Sequence, residues 1–247
     1  MPRPFEEDPA AEDDPTDETP GRRRYLTILF SDLSDSTRLG ELMESELYAG
    51  MLAQLRRLCR EIIPRHGGNI ARIQGDGVLA FFGYPETRED DGRRATEAAL
   101  ELHAAVSRMG IAGARFPAGA LTLHSGIHAG LVLLSEGDVE RGRFELLGNV
   151  PNIAARLSDL AERDDICVSD ETLGPHVQFF TCSEPALVQL KGRAQPLAMR
   201  RVLGRAPAPQ RFEAMERRSL CPFVGREAAL RLLRDRLRMA IAGDAQC

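Results

Sequence analysis

A chain of 247 residues with 43% apolar side chains can bury the core of one sizeable domain with flanking pieces. Its net charge of −5, with no clustered basic residues interleaved with aromatics, excludes a nucleic-acid-binding footprint. No apolar run approaches a membrane span, and the acidic N-terminus lacks the basic and apolar regions of a signal peptide, which predicts a cytoplasmic protein.

Residues 1 to 20 carry eight acids against one Arg and almost no large apolar side chain. The segment 1–23 is therefore expected to be a disordered acidic tail, because it cannot offset its ordering entropy. Tyr25 to Phe30 reads as a buried strand, and the polar run from Asp32 to Thr37 offers several helix caps. Apolar positions from Leu42 to Ile63 recur at helical spacing, predicting a helix from Glu41 to about Arg65 that ends before His66-Gly67-Gly68. Asn69 to Gln74 and Val78 to Phe82 flank Gly75-Asp76-Gly77 as a hairpin. A second helix spans about Arg88 to Met109. Strand character returns at Leu121 to His128 and Leu131 to Leu134, followed by a polar arm, Ser135 to Arg143. A third helix runs from Pro151 to Ala161, and short strands follow near Ile166, Phe179, Leu187 and Met199. This order predicts an α+β class, a ferredoxin-like antiparallel sheet with helices on one face.

The five cysteines are an odd number without Cys-x-x-Cys spacing and read as reduced, structural thiols. His124 and His128 share one strand face and read as satisfied strand histidines rather than a metal pair. Asp32 and Asp76 each sit where an apolar strand meets a turn. If their strands are neighbours, the two carboxylates converge on one sheet edge, an arrangement suited to a hard cation such as Mg²⁺. A helix cap at Asp32 and a turn residue at Asp76 are the alternatives.

Four separated segments carry a family resemblance. Gly67 to Pro85 resembles the central hairpin of class III nucleotidyl cyclases, and Leu29 to Thr37 looks like that family's first metal-binding segment. Leu147 to Leu157 is similar to its Gly-x-x-x-Asn-x-Ala-x-Arg helix, and Leu190-Lys191-Gly192 to a segment near the domain's end. All four occur in family order, and the resemblance covers about residues 24 to 204. Residues 205–222 read as an Arg, Pro and Ala-rich linker. Residues 223–247 resemble the start of an AAA-type ATPase module, as in bacterial relatives of soluble adenylyl cyclase, although no phosphate-loop motif follows.

The resemblance implies an adenylate cyclase that converts ATP to 3′,5′-cyclic AMP and pyrophosphate at sites shared by a homodimer. Asp32 and Asp76, with the backbone of Leu33, would hold two Mg²⁺ or Mn²⁺ ions. The backbone from Leu33 through Ser34 to Ser36 would cradle phosphates. From the partner chain, Arg156 would neutralise charge on the α-phosphoryl oxygens, Asn152 would orient the ribose, and Lys191 would bind the terminal phosphates. Lys191 is the sole lysine among 32 basic residues. The purine-reading pair falls on Arg72 and Glu145, a donor and an acceptor that match adenine and oppose guanine, unless the two pair with each other. Asp35 departs from the family's usual Gly, and its carboxylate would repel a triphosphate unless it turns away or caps the helix. A guanylate cyclase and a catalytically silent regulatory dimerisation domain are the competing expectations.

Overall fold

The computed structural model describes residues 22–109, 121–136, 144–207 and 227–241. The expected acidic tail, most of the polar arm, most of the linker, Cys221 and Cys247 lie outside them. Two compact units are present, Met1–Arg205 and Ala206–Cys247.

The first unit is built on β1 (Arg22–Leu33), α1 (Ser36–Leu42), α2 (Ser45–Arg65), β2 (Asn69–Gln74), β3 (Gly77–Phe82), α3 (Asp91–Ser107) and β4 (Leu123–Glu136). There follow β5 (Phe144–Leu147), α4 (Asn149–Leu160), β6 (Ile166–Ser169), α5 (Asp170–Leu173), a 3₁₀ turn (Gly174–Phe179), β7 (Phe180–Cys182), β8 (Ala186–Val188) and β9 (Leu197–Arg205). The nine-stranded sheet has the order β2-β3-β1-β4-β6-β9-β7, with β5 beside β4 and β8 beside β9. In the second unit α6 (Glu227–Ile241) is an amphipathic helix whose Leu232, Leu233 and Leu237 are exposed.

Central β1 is covered on both faces, so it reads as an unbroken apolar run rather than an alternating one. Leu29 and Leu33 enter a core with Met51, Leu55 and Ile63 of α2 and Leu102 and Val106 of α3. Leu26 and Ile28 face the other way, onto Val150 and Ala154 of α4. The α+β class holds, and two details of the expected sheet differ. Helices α2 and α3 share one face, but α4 lies on the opposite one. Strand β6 also runs parallel to β4, because α4 makes a crossover between them.

Two predicted boundaries shift for identifiable reasons. The helix expected from Glu41 is broken at Met43 and Glu44, both extended, and Leu42 is 71% exposed. Leu42 matches the helical period without belonging to the buried stripe. The two strands expected at 121–128 and 131–134 are instead one strand, β4, because Ala129 and Gly130 continue the ladder opposite Thr27 and Leu26. A Cβ added at Gly130 would lie 2.7 Å from Val150 Cγ2. The glycine that looked like a break lets α4 approach the sheet.

Cys59 and Cys167 are buried and free, and burial pushes their thiols up to about 12 and about 11. Such thiols stay protonated and inert, as expected of structural cysteines. Among the described residues, no helix is long and apolar enough to cross a membrane.

Candidate active site

The register brings the two aspartates together. Ser31 pairs with Val78, so Asp32, at the end of β1, stands beside Gly77 and the β2–β3 turn that carries Asp76. A Cβ added at Gly77 would lie 3.2 Å from Asp32 Oδ1, leaving little room there for any side chain. Asp32 is a strand residue opposite His124, not a helix cap. Its Oδ1 accepts a hydrogen bond from the Leu33 N–H at 3.1 Å.

Burial first, and then the neighbouring Asp76, push the Asp32 carboxyl from 3.8 up to about 6. Asp76 Oδ2 is buried and has no hydrogen-bond partner among the described residues. Two half-buried carboxylates that repel each other, one with an orphaned oxygen, form a donor set that a hard divalent cation would satisfy. Such a pair costs stability when no cation is present. The folded carboxyl binds its proton more tightly than the unfolded one, so the contribution to stability is full below about pH 4 and is lost as the pH rises through about 6. In EDTA, the stability of the wild type relative to Asp32→Asn is expected to fall by about 1 kcal/mol between pH 4.5 and 7, after allowance for solvent screening. Urea denaturation at the two pH values checks this, and parallel pH profiles for the two proteins would refute it.

Two residues of α2 bear on the pair and were missed in the sequence. Arg56 Nη2 donates to the Gly75 carbonyl at 3.1 Å, bracing the turn that presents Asp76. The Tyr48 phenol is pushed up by burial and by the charges of Asp76 and Asp32. Neither carries a local signal, since each is one polar residue on a long amphipathic helix.

The phosphate-cradle candidates adjoin the pair. Ser34 is buried, its N–H bonds the Thr122 carbonyl at 2.9 Å, and its hydroxyl lies 3.4 Å from His124 Nδ1. Ser36 opens α1. Asp35 occupies the cap position at φ 56°, yet its side chain makes no capping bond. It pairs instead with Arg163 Nη1 at 3.2 Å. The histidines are satisfied: burial lowers both, His128 to about 4, and His128 Nδ1 lies 2.8 Å from Ser169 Oγ.

A second group gathers around α4. Ile153 and Leu157 pack with buried Leu190, which seats the Lys191-Gly192 turn against the helix. A Cβ on Gly192 would lie 3.5 Å from Arg156 Nη1, so Arg156 and Lys191 are neighbours. Asn152, one turn earlier, is exposed, and its amide contacts the Gly148 carbonyl at 3.5 Å. Among the described residues, no hydrogen bond or ion pair connects Arg156, Asn152 or Lys191 to the two aspartates.

The third pair, Arg72 and Glu145, is exposed on β2 and β5, which approach each other. Phe144 of β5 packs edge-on against Phe81 at 5.1 Å and Tyr84 at 5.5 Å, drawing β5 toward the hairpin. No ion pair joins Arg72 to Glu145 among the described residues.

The sheet, the α4 crossover and the acid pair together define a nucleotidyl cyclase domain. Residues 20–200 match the adenylate and guanylate cyclase catalytic domain family, and the chain belongs to it. Among solved structures, it is similar to the guanylyl cyclase Cya2 at 28% identity and a TM-score of 0.69, covering 76% of this chain and 96% of that one. It is also similar to the adenylyl cyclase CyaB from P. aeruginosa at 26% identity and a TM-score of 0.66, covering 77% and 97%. Adenylate cyclase 1 of Rhizobium meliloti is 27% identical over 139 residues, which cover 56% of this chain and 21% of that protein. An uncharacterised protein of the same organism is 29% identical over 211 residues, 85% of this chain and 20% of the relative. The chain thus spans about a fifth of the length of these curated relatives.

Proposed function

We propose that this domain is an adenylate cyclase, forming 3′,5′-cyclic AMP and pyrophosphate from ATP at sites built between two copies of the chain. The observation that carries the reading is the Asp32–Asp76 pair, mutually repelling, with a buried oxygen that lacks a partner. Asp32, Asp76 and the Leu33 backbone would hold two Mg²⁺ or Mn²⁺ ions. Bound there, the ions would activate the ribose 3′-hydroxyl and draw charge from the triphosphate. The backbone from Leu33 to Ser36 would receive phosphate oxygens. Arg156 would meet charge developing on the α-phosphoryl group, Asn152 would orient the ribose, and Lys191 would take the terminal phosphates. Among the described residues no bond joins Arg156, Asn152 or Lys191 to the acid pair, and they would meet it across a homodimer. A C-terminal regulatory ATPase module in a longer protein completes the proposal, motivated by the sequence from Pro222 onward.

For the base, Arg72 would donate to adenine N1 and Glu145 accept from the N6 amine, and both side chains are exposed on approaching strands. Guanine would face Arg72 with a donor and Glu145 with an acceptor, at about 1–3 kcal/mol for each mismatch. The second reading, a guanylate cyclase, draws on the likeness to Cya2. Incubating the protein with Mn²⁺ or Mg²⁺ and either ATP or GTP, then resolving the products, tests both. A kcat/KM at least tenfold higher for ATP is expected. Preference for GTP would reverse the base assignment, and no product from either would leave the silent regulatory reading.

A further inference from the structure

The Asp35 carboxylate lies in the turn proposed to receive the triphosphate, and its own helix does not use it. Asp35 is left-handed at φ 56°, its carboxylate caps no N–H of α1, and it reaches Arg163 Nη1 at 3.2 Å. The two side chains, with Ser34, Arg38, Leu39 and Leu42, line a cleft of about 200 Å³ beside that turn. An exposed ion pair would ordinarily carry little consequence. Here, however, the backbone just after Arg163 is tied to the rest of the domain. Asp164 follows it in left-handed conformation at φ 65°, donates its N–H to the Leu123 carbonyl at 2.8 Å, and meets His103 Nδ1 with its carboxylate at 3.0 Å. His103 is buried, and its Nε2 lies 2.8 Å from the Ser125 hydroxyl. The Asp165 carbonyl accepts from the Ser125 N–H at 3.0 Å, and its carboxylate pairs with Arg201 at 3.0 Å. The two acids that follow Arg163 are thus committed to His103 and Arg201, while Arg163 pairs with Asp35.

We propose that Arg163 is a positioning residue for polyphosphate binding: anchored on the loop after α4, it holds and neutralises the Asp35 carboxylate so that the β1–α1 turn can accept a triphosphate. The inference rests on the site reading above and extends it to a residue outside the four family segments. One uncompensated carboxylate several ångströms from a polyanion weakens its binding on the order of 3–10-fold at moderate salt. The effect falls on ground-state binding, since the carboxylate faces bound triphosphate before and during reaction alike.

The test pairs steady-state kinetics on Mn²⁺-ATP with calorimetric binding of inorganic tripolyphosphate in the presence of Mn²⁺, using the full chain. Arg163→Ala is expected to raise the ATP KM and the tripolyphosphate Kd by roughly 3–10-fold while kcat changes less than twofold. Arg163→Lys should recover most of the loss. Asp35→Asn should lower KM, and combining it with Arg163→Ala should return KM toward wild type, because no charge remains to be neutralised. An unchanged KM and Kd in Arg163→Ala would overturn the proposal, as would a double variant no better than Arg163→Ala. If the wild type binds tripolyphosphate with this pattern but makes no cyclic nucleotide, the proposed activity fails and the role of Arg163 stands. If it binds neither ATP nor tripolyphosphate, both fall.

Discussion

Asp32→Ala and Asp76→Ala are each expected to reduce cyclic nucleotide formation by at least 100-fold while leaving the fold intact. Each change removes one of the two carboxylates proposed to hold the ions, beside the Leu33 backbone. Loss of charge stabilisation at a reacting phosphoryl group typically costs ~3–4 kcal/mol, which corresponds to that reduction. Stability should move the other way. Asp32 is held near pKa 6 by burial and by Asp76, so removing either acid relieves an unfavourable contact in the metal-free protein. The measurement is product formation with Mg²⁺ or Mn²⁺ alongside thermal unfolding in EDTA. Near-normal turnover in either variant would sink the metal assignment. Lost activity accompanied by a lower melting temperature would point to a structural role for the carboxylates.

Mixing inactive Asp32→Ala chains with inactive Arg156→Ala chains is expected to restore activity. Within one chain, Arg156 sits on α4 against the Lys191-Gly192 turn, and among the described residues no bond joins it to the acid pair. If the two groups meet only across a dimer, a mixed dimer has one site with both residues and one with neither. With random pairing, about half the dimers are mixed and each has one working site, so recovery should approach about a quarter of wild-type activity. Subunit exchange is monitored separately, with differently tagged chains. No recovery despite exchange would place the whole site within one chain and end the shared-site mechanism.

What could be read from the chain alone is what local chemistry controls. Apolar periodicity located α2 and α3, Pro151 marked the first turn of α4, and the Gly75-Asp76-Gly77 hairpin was legible because a tight turn needs those residue types at that spacing. Asp32 and Asp76 were visible as a pair for a similar reason: each punctuates an apolar run, and their strands prove to be neighbours. Lys191 stood out as the single lysine in an arginine-rich chain, and its phosphate-binding role remains part of the proposal.

Other features depend on contacts between residues far apart in the chain. Gly130 looks like a break in a strand until α4 is packed on it, and the location of α4 on the second face comes from Leu26 and Ile28 meeting Val150 and Ala154. The short β5 is drawn toward the hairpin by Phe144 against Phe81 and Tyr84, which brings Glu145 toward Arg72. Arg56 braces Gly75 from 19 positions away, and Arg163 meets Asp35 from far along the chain. Periodicity and turn preference report how a segment meets water or its own neighbours. They carry no information on which distant charge a side chain will find, so the elements and the acid pair belonged to the sequence, while the neighbours of Asp35 and Arg156 were decided only by the tertiary packing of the loops beside α4.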